Sequence, residues 1–293
     1  MRIFLALCIL LLTSCAPIAQ SASGKIQVTV STQIVGDVVS AIGGELVDVI
    51  FLIPTGTDPH AYEPAPQDAV HLAEADMVFI NGFGLEQNLE PLLADYQSKL
   101  VNASEGIQPL TLVEAGESGP DPHVWMNPQN VEIWADNISE ALAEIDSSNA
   151  AGYQRNAEGY KDQLQDLESW AQDQISQIPD ADRILVTDHE SLGYFADHYG
   201  FEIIGTIIPS YSTQSEPSAG ELAELESAIQ TFGVKAIFVG VSLNPSLAER
   251  VAQDTGVHLV PIYTESLSDG NASASTYLEM MRFDIETIVA ALR

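Results

Sequence analysis

Asp-Pro-His occurs twice in this chain, in "TDPHAYEP" (57–64) and in "DPHVWMNP" (121–128), although the sequence contains only six histidines. Proline fixes its own φ and restricts the residue before it, so each Asp-Pro is a stiff corner that presents the next side chain with little backbone freedom. One such corner is most simply a turn with a solvated imidazole. Two point to a shared purpose for His60 and His123. A third histidine sits comparably: in "RILVTDHESLGYF" an apolar strand ends at Thr187 and His189 follows. In "HLVPIYTESLSDG", Glu265 lies just past another strand end. Open α/β sheets place their ligands beyond strand ends of this kind. Three neutral imidazoles and one carboxylate would make a closed N₃O shell that suits Zn²⁺. Each imidazole must be neutral to bind, so affinity is expected to fall as the pH drops through about 6. Asp188 and Glu190 flank His189, and either could orient its ring. His71 in a helix-like stretch, His198 near a helix end and His258 at a strand start lack the rigid corner and are set aside.

The elements that must position these residues alternate along the chain. "IQVTVS", "LVDVIFLI" and "ADMVFING" read as buried strands, separated by helical segments such as "TQIVGDVVSAIGG" and followed by the helical "QNVEIWADNISEALAEI". A second series opens at Arg183 with the strands "RILVT", "FEIIGTII", "AIFVGV" and "HLVPI", again with helices between them. Strands alternating with helices imply parallel sheets covered on both faces, and two series imply two lobes. Between them, Tyr153, Ala157, Tyr160, Leu164, Leu167, Ala171, Ile175 and Ile178 recur every three or four residues, the stripe of one long helix ended by Pro179. About 30 helical residues would reach roughly 45 Å, a stiff strut between the lobes. The expected fold is therefore α/β, with two lobes of parallel sheet flanked by helices and joined by one long rigid helix. The expected boundaries are 25–146 for the N-terminal lobe, 147–179 for the linker helix and 180–293 for the C-terminal lobe.

The first residues, "MRIFLALCILLLTSCAP", carry one Arg before an apolar run too short to span a bilayer. The run ends in "LTSC", which resembles a bacterial lipobox. Residues 1–15 are accordingly read as a lipoprotein signal with Cys15 as the lipidated residue, and 16–24 as a flexible tether. Cleavage further along, within "APIAQSAS", is the alternative. No later segment is apolar enough to cross a membrane. The body beyond Cys15 has no cysteine, which excludes disulfides and thiolate metal sites there. With 42 Asp+Glu against 10 Lys+Arg, the formal net charge of −32 argues against nucleic acid or anionic lipid as a partner.

The motifs "GTDPHAYEPAPQD", "INGFGLE", "DPHVWMNP", "TDHESLGYFADHYG" and "YSTQSEPSAGEL", in this order, resemble those of the metal-ion solute-binding lipoproteins of bacterial ABC importers, the zinc/manganese cluster A-I. The resemblance runs from about Lys25 to the C-terminus. It implies two α/β lobes around a long helix, one metal at the lobe interface, and His60, His123, His189 and Glu265 as its ligands. Members with three His and a Glu look like zinc proteins, whereas two His with two carboxylates mostly mark manganese proteins. The resemblance thus implies Zn²⁺ as the substrate ion, with Mn²⁺ the alternative, and no enzymatic activity. It also implies a membrane permease and ATPase as partners, a monomer, and a place outside the cytoplasmic membrane, held to its outer face by the lipid or free in a periplasm. Many zinc members carry a long His- and acid-rich loop before the second motif, where this chain has only "VEAGESG". A zinc hydrolase would need an open coordination position and a general base, and no His-Glu-x-x-His is present. A surface adhesin is compatible with anchoring but is specified by no residue.

Overall fold

The computed structural model describes residues 24–114, 117–270 and 272–293. The signal and lipobox reading at 1–15, with Cys15, and all of the tether except Gly24 lie outside the described residues. The first lobe runs β1 (Ile26–Val30), α1 (Gln33–Gly43), β2 (Val47–Phe51), α2 (Pro66–Glu74), β3 (Met77–Ile80), α3 (Glu90–Leu93), β4 (Leu100–Asn102), a hairpin of β5 (Thr111–Glu114) and β6 (Glu117–Pro120), and α4 (Pro128–Ile145). The helix α5 (Ala150–Ile175) leads to the second lobe: β7 (Ile184–Thr187), α6 (Gly193–Tyr199), β8 (Glu202–Thr206), α7 (Ala219–Phe232), β9 (Ala236–Gly240), α8 (Ser246–Thr255), β10 (His258–Ile262) and α9 (Tyr277–Leu292).

Each lobe holds a four-stranded parallel sheet, in the orders β2-β1-β3-β4 and β10-β9-β7-β8. In both, the first strand of the lobe is flanked by its second and third, so the lobes share one topology. The crevice that this order opens lies between β1 and β3 in one sheet and between β7 and β9 in the other. Local signals agree with the elements. Thr32 caps α1 by accepting from Val35 N, and Ser218 with Glu221 forms a capping box on α7, which ends on Gly233 in the left-handed region. The antiparallel hairpin was not anticipated from the sequence. Its base is closed by Asp121 N donating to Leu110 O at 2.8 Å, which delivers the second Asp-Pro-His at a fixed place.

At 26 residues, α5 is about 39 Å long. Its buried stripe is Tyr153, Ala157, Tyr160, Leu164, Leu167, Ala171 and Ile175, the residues whose spacing predicts it. The first half is pinned to the N-terminal lobe, where Asn156 Nδ2 donates to Ile42 O and Lys161 Nζ lies 2.7 Å from Asp136. The second half is pinned to the C-terminal lobe, where Glu168 accepts from Tyr199 Oη and meets His198 Nε2, both at 2.9 Å. Arg282 of α9 also stacks over Trp170. One continuous apolar cluster runs from Val28 and Phe79 through Trp134 and Leu164 to Phe238 and Met280, crossing both lobes and the helix between them. Among the described residues, no helix is long and apolar enough to cross a membrane.

Candidate metal centre

The four residues singled out from the sequence meet in the cleft between the lobes. One donor atom from each of His60, His123, His189 and Glu265 lies within 4.8 Å of all the others. His60 Nε2 is 3.2 Å from His123 Nε2 and 3.8 Å from Glu265 Oε2. Glu265 Oε1 is 3.3 Å from His123 Nε2 and 3.2 Å from His189 Nε2. A tetrahedral ion with metal–donor bonds of about 2.0–2.1 Å spaces its donors by roughly 3.3 Å, so these separations are those of a coordination shell. His189 Nε2 and both Glu265 oxygens are buried and lack any hydrogen-bond partner of proper geometry. Orphaned polar atoms of that kind are costly unless something else satisfies them, and a cation at their common centre does so.

Each candidate ligand comes from beyond the end of an element. His60 follows β2 and His123 the β5–β6 hairpin; His189 follows β7 and Glu265 follows β10. In both Asp-Pro-His corners the Asp Oδ1 accepts from the backbone N of its His at 2.9 Å. Only Asp121 goes further, since the same oxygen meets His123 Nδ1 at 2.8 Å. Asp188 does the equivalent for His189 Nδ1 at 2.8 Å, while its Oδ2 accepts from Gly240 N across the β7–β9 crevice. A side chain at Gly240 would collide with Thr264 Oγ1 and crowd Asp188, so glycine is needed for this close approach. Of the two carboxylates flanking His189, Asp188 is thus the one that orients the ring. Glu190 instead accepts from Thr206 Oγ1 at 3.3 Å.

The other anchors were not legible from the sequence. Glu86 is wholly buried and accepts from Ser31 Oγ, Asn81 N and Gly82 N, which ties β1 to β3 at their crevice; burial pushes its pKa up. Asn81 Nδ2 then donates to Pro122 O at 2.9 Å, gripping the His123 corner. From the opposite lobe, Tyr194 Oη donates to Asp121 O and accepts from Leu110 N. Trp125 Nε1 donates to Thr264 O at 2.9 Å, joining the His123 loop to the Glu265 loop. The signal that could have found Glu86 is its lone acid in an otherwise uncharged "INGFGLEQN". The pairings across the cleft have no local signal.

Electrostatics arrange the metal-free charges. Burial raises the pKa of Glu265, but His123, His189 and His60 outweigh it and hold the carboxyl well below its usual range. Burial also opposes charge on His123 and His189, yet the adjoining carboxylates prevail. Glu265 and Asp121 lift His123 to about 9, and Asp188 and Glu265 lift His189 to about 10. His60 goes the other way, pushed down to about 3 by burial despite Glu265. Without metal, the surroundings thus favour the charged forms of Glu265, His123 and His189 and the neutral form of His60. The remaining histidines stand apart. His71 contacts Gln67, His198 is paired with Glu168, and His258 is exposed at the start of β10.

Comparison with known proteins gives four findings of one kind. The family model described as "ZnuA: Zinc-uptake complex component A periplasmic" matches residues 28–291. The manganese-binding lipoprotein MntA of Halalkalibacterium halodurans is 33% identical over 269 residues, covering 91% of this chain and 88% of its own. Among solved structures, the periplasmic zinc-binding protein TroA of Treponema pallidum superposes with a TM-score of 0.86 at 29% identity, covering 92% of this chain and 99% of its own. The Mn-bound periplasmic metal-binding protein of Candidatus Liberibacter asiaticus superposes at 0.82, with 29% identity and coverage of 92% and 100%.

Proposed function

The chain belongs to the ZnuA zinc-uptake family of metal-binding solute-binding proteins, and from that premise we propose that it captures a divalent transition-metal ion outside the cytoplasmic membrane for the permease and ATPase of an ABC importer. The observation that carries this reading is the convergence of His60, His123, His189 and Glu265 on one point, with orphaned donor atoms facing it. Four protein donors converge on one point, and relatives are named as metal ABC transporter substrate-binding lipoproteins, so the ion is read as cargo and the protein as a carrier rather than a catalyst. A lipidated Cys15 would hold the protein, as a monomer, at the outer face of the membrane, in keeping with relatives named as lipoproteins.

Manganese is the proposed cargo. The named relatives favour it over the zinc preferred from the donor types: MntA is named manganese-binding, and one superposing structure is Mn-bound. Zinc is the second reading, supported by the three-imidazole donor set, by donor spacings that suit a tetrahedral ion, and by the TroA likeness. Zn²⁺ binds a nitrogen-rich site more tightly than Mn²⁺ whichever ion is carried in the cell, so a simple competition does not decide between them. Elemental analysis of protein purified from its own host, with Mn²⁺ retention through desalting in zinc-free buffer, does decide. Mn²⁺ held stoichiometrically supports the first reading, and Mn²⁺ lost while Zn²⁺ is kept supports the second. The carrier reading itself fails if neither ion binds or if His123→Ala leaves affinity intact.

A further inference from the structure

His60 is held differently from its three partners. Carboxylates meet Nδ1 of both His123 and His189 at 2.8 Å, whereas among the described residues no carboxylate pairs with His60 Nδ1. Its place is set through the main chain instead. Asp58 Oδ1 accepts from His60 N, and Asn88 Nδ2 donates to His60 O at 2.8 Å. Two further bonds reach the same corner from the other lobe: Gln214 Nε2 also donates to His60 O, and Thr213 Oγ1 donates to Asp58 Oδ2. Thr213 and Gln214 lie in the loop between β8 and α7. Beside them a cavity of about 340 Å³ opens between Tyr211–Gln214 and Gly84–Asn88, and His60 is the one metal ligand that lines it. The ligand at the mouth of the centre thus has its seat half built by the opposite lobe.

We propose that Thr213 and Gln214 are positioning residues that couple closure of the lobes to coordination by His60. While their bonds hold, His60 is fixed over the ion; when the lobes part, His60 loses two of its supports and the ion leaves through the cavity beside it. This rests on the metal-carrier reading, and the two can fail separately. The test loads the protein with Zn²⁺ and follows transfer of the ion to excess chelator. A Thr213→Val, Gln214→Ala double variant should release Zn²⁺ roughly 10- to 100-fold faster, the range for losing the partners that orient a ligand. Circular dichroism should show the double variant folded without metal, and Thr213→Ser should recover the part due to Thr213. In a His60→Ala background the same pair of substitutions should add nothing, because the effect acts through His60. An unchanged release rate, or an effect that adds in full to His60→Ala, overturns the coupling. Gln214 is exposed, so Gln214→Ala alone carries the test if the double variant unfolds. Wild-type protein that held no Zn²⁺ would instead remove the carrier reading, and this coupling with it.

Discussion

The two Asp-Pro-His corners share a local fold but divide their labour, and proton linkage follows from that division. Asp121 uses one oxygen for both the backbone and the ring of its His, while Asp58 serves the backbone alone and gives its second oxygen to Thr213. With the adjoining carboxylates raising His123 to about 9 and His189 to about 10, each ring holds a proton at pH 7 that a metal must displace. Affinity should therefore climb from neutrality to about pH 9–10, above the window near pH 6 that free imidazoles suggest. Calorimetric titration in buffers of different ionisation heat should count about two protons released per ion at pH 7; a count near zero would contradict the charge arrangement. The stability of the metal-free protein should run the other way. Both folded pKa values lie above the ordinary 6.5, so their contribution is complete below about pH 6.5 and is lost as the pH rises through about 9 and 10. The four candidate donors, which the structure brings together, could be singled out because rigid corners and strand ends are local features. Asn81, Glu86, Tyr194 and Thr213 were not, because each acts on a partner distant in sequence.

Strand ends carry the ligands, and α5 sets the distance between the strands that bear them. The three-and-four spacing from Tyr153 to Ile178 predicts a long helix, since a stripe of that length fits no other element; the observed helix spans Ala150–Ile175 and stops short of Ile178. Both parallel sheets were likewise legible from their apolar runs. The short β4 and the β5–β6 hairpin were missed because strands of three and four residues, "LVN" and "TLVE", are too short to show a period, and "ESGP" has no apolar alternation. Leu164 sits at the middle of α5 with no exposed surface, inside the apolar cluster common to both lobes. Leu164→Ala should cost about 2–5 kcal/mol, the usual range for a cavity in a packed core. Urea denaturation followed by circular dichroism should show one transition at a lower midpoint. Two separated transitions would mean that the lobes do not share a core.

At the scale of the molecule, the halves are sewn together near the centre as well as along α5. Gly56 N donates to Ser266 Oγ, Tyr277 N to Asp37, and Tyr277 Oη to Trp125 O, each linking one lobe to the other. Such ties and a common core favour small rigid adjustments over a wide swing. They also make the bound ion a stabiliser of the whole chain. At free metal 100-fold above Kd the gain is about 2.7 kcal/mol, which for a body of this size should raise Tm by about 5 °C or more in calorimetry. A Tm indifferent to metal would mean that the folded state has no preference for the ion. Trp125, whose indole N–H spans the cleft to Thr264 O, also stands edge-on to His123 with ring centroids 5.4 Å apart. The indole that clasps the two halves thus stands directly against the centre, so its emission should change when the centre is loaded, and emission indifferent to metal would mean that the clasp does not sense the ion.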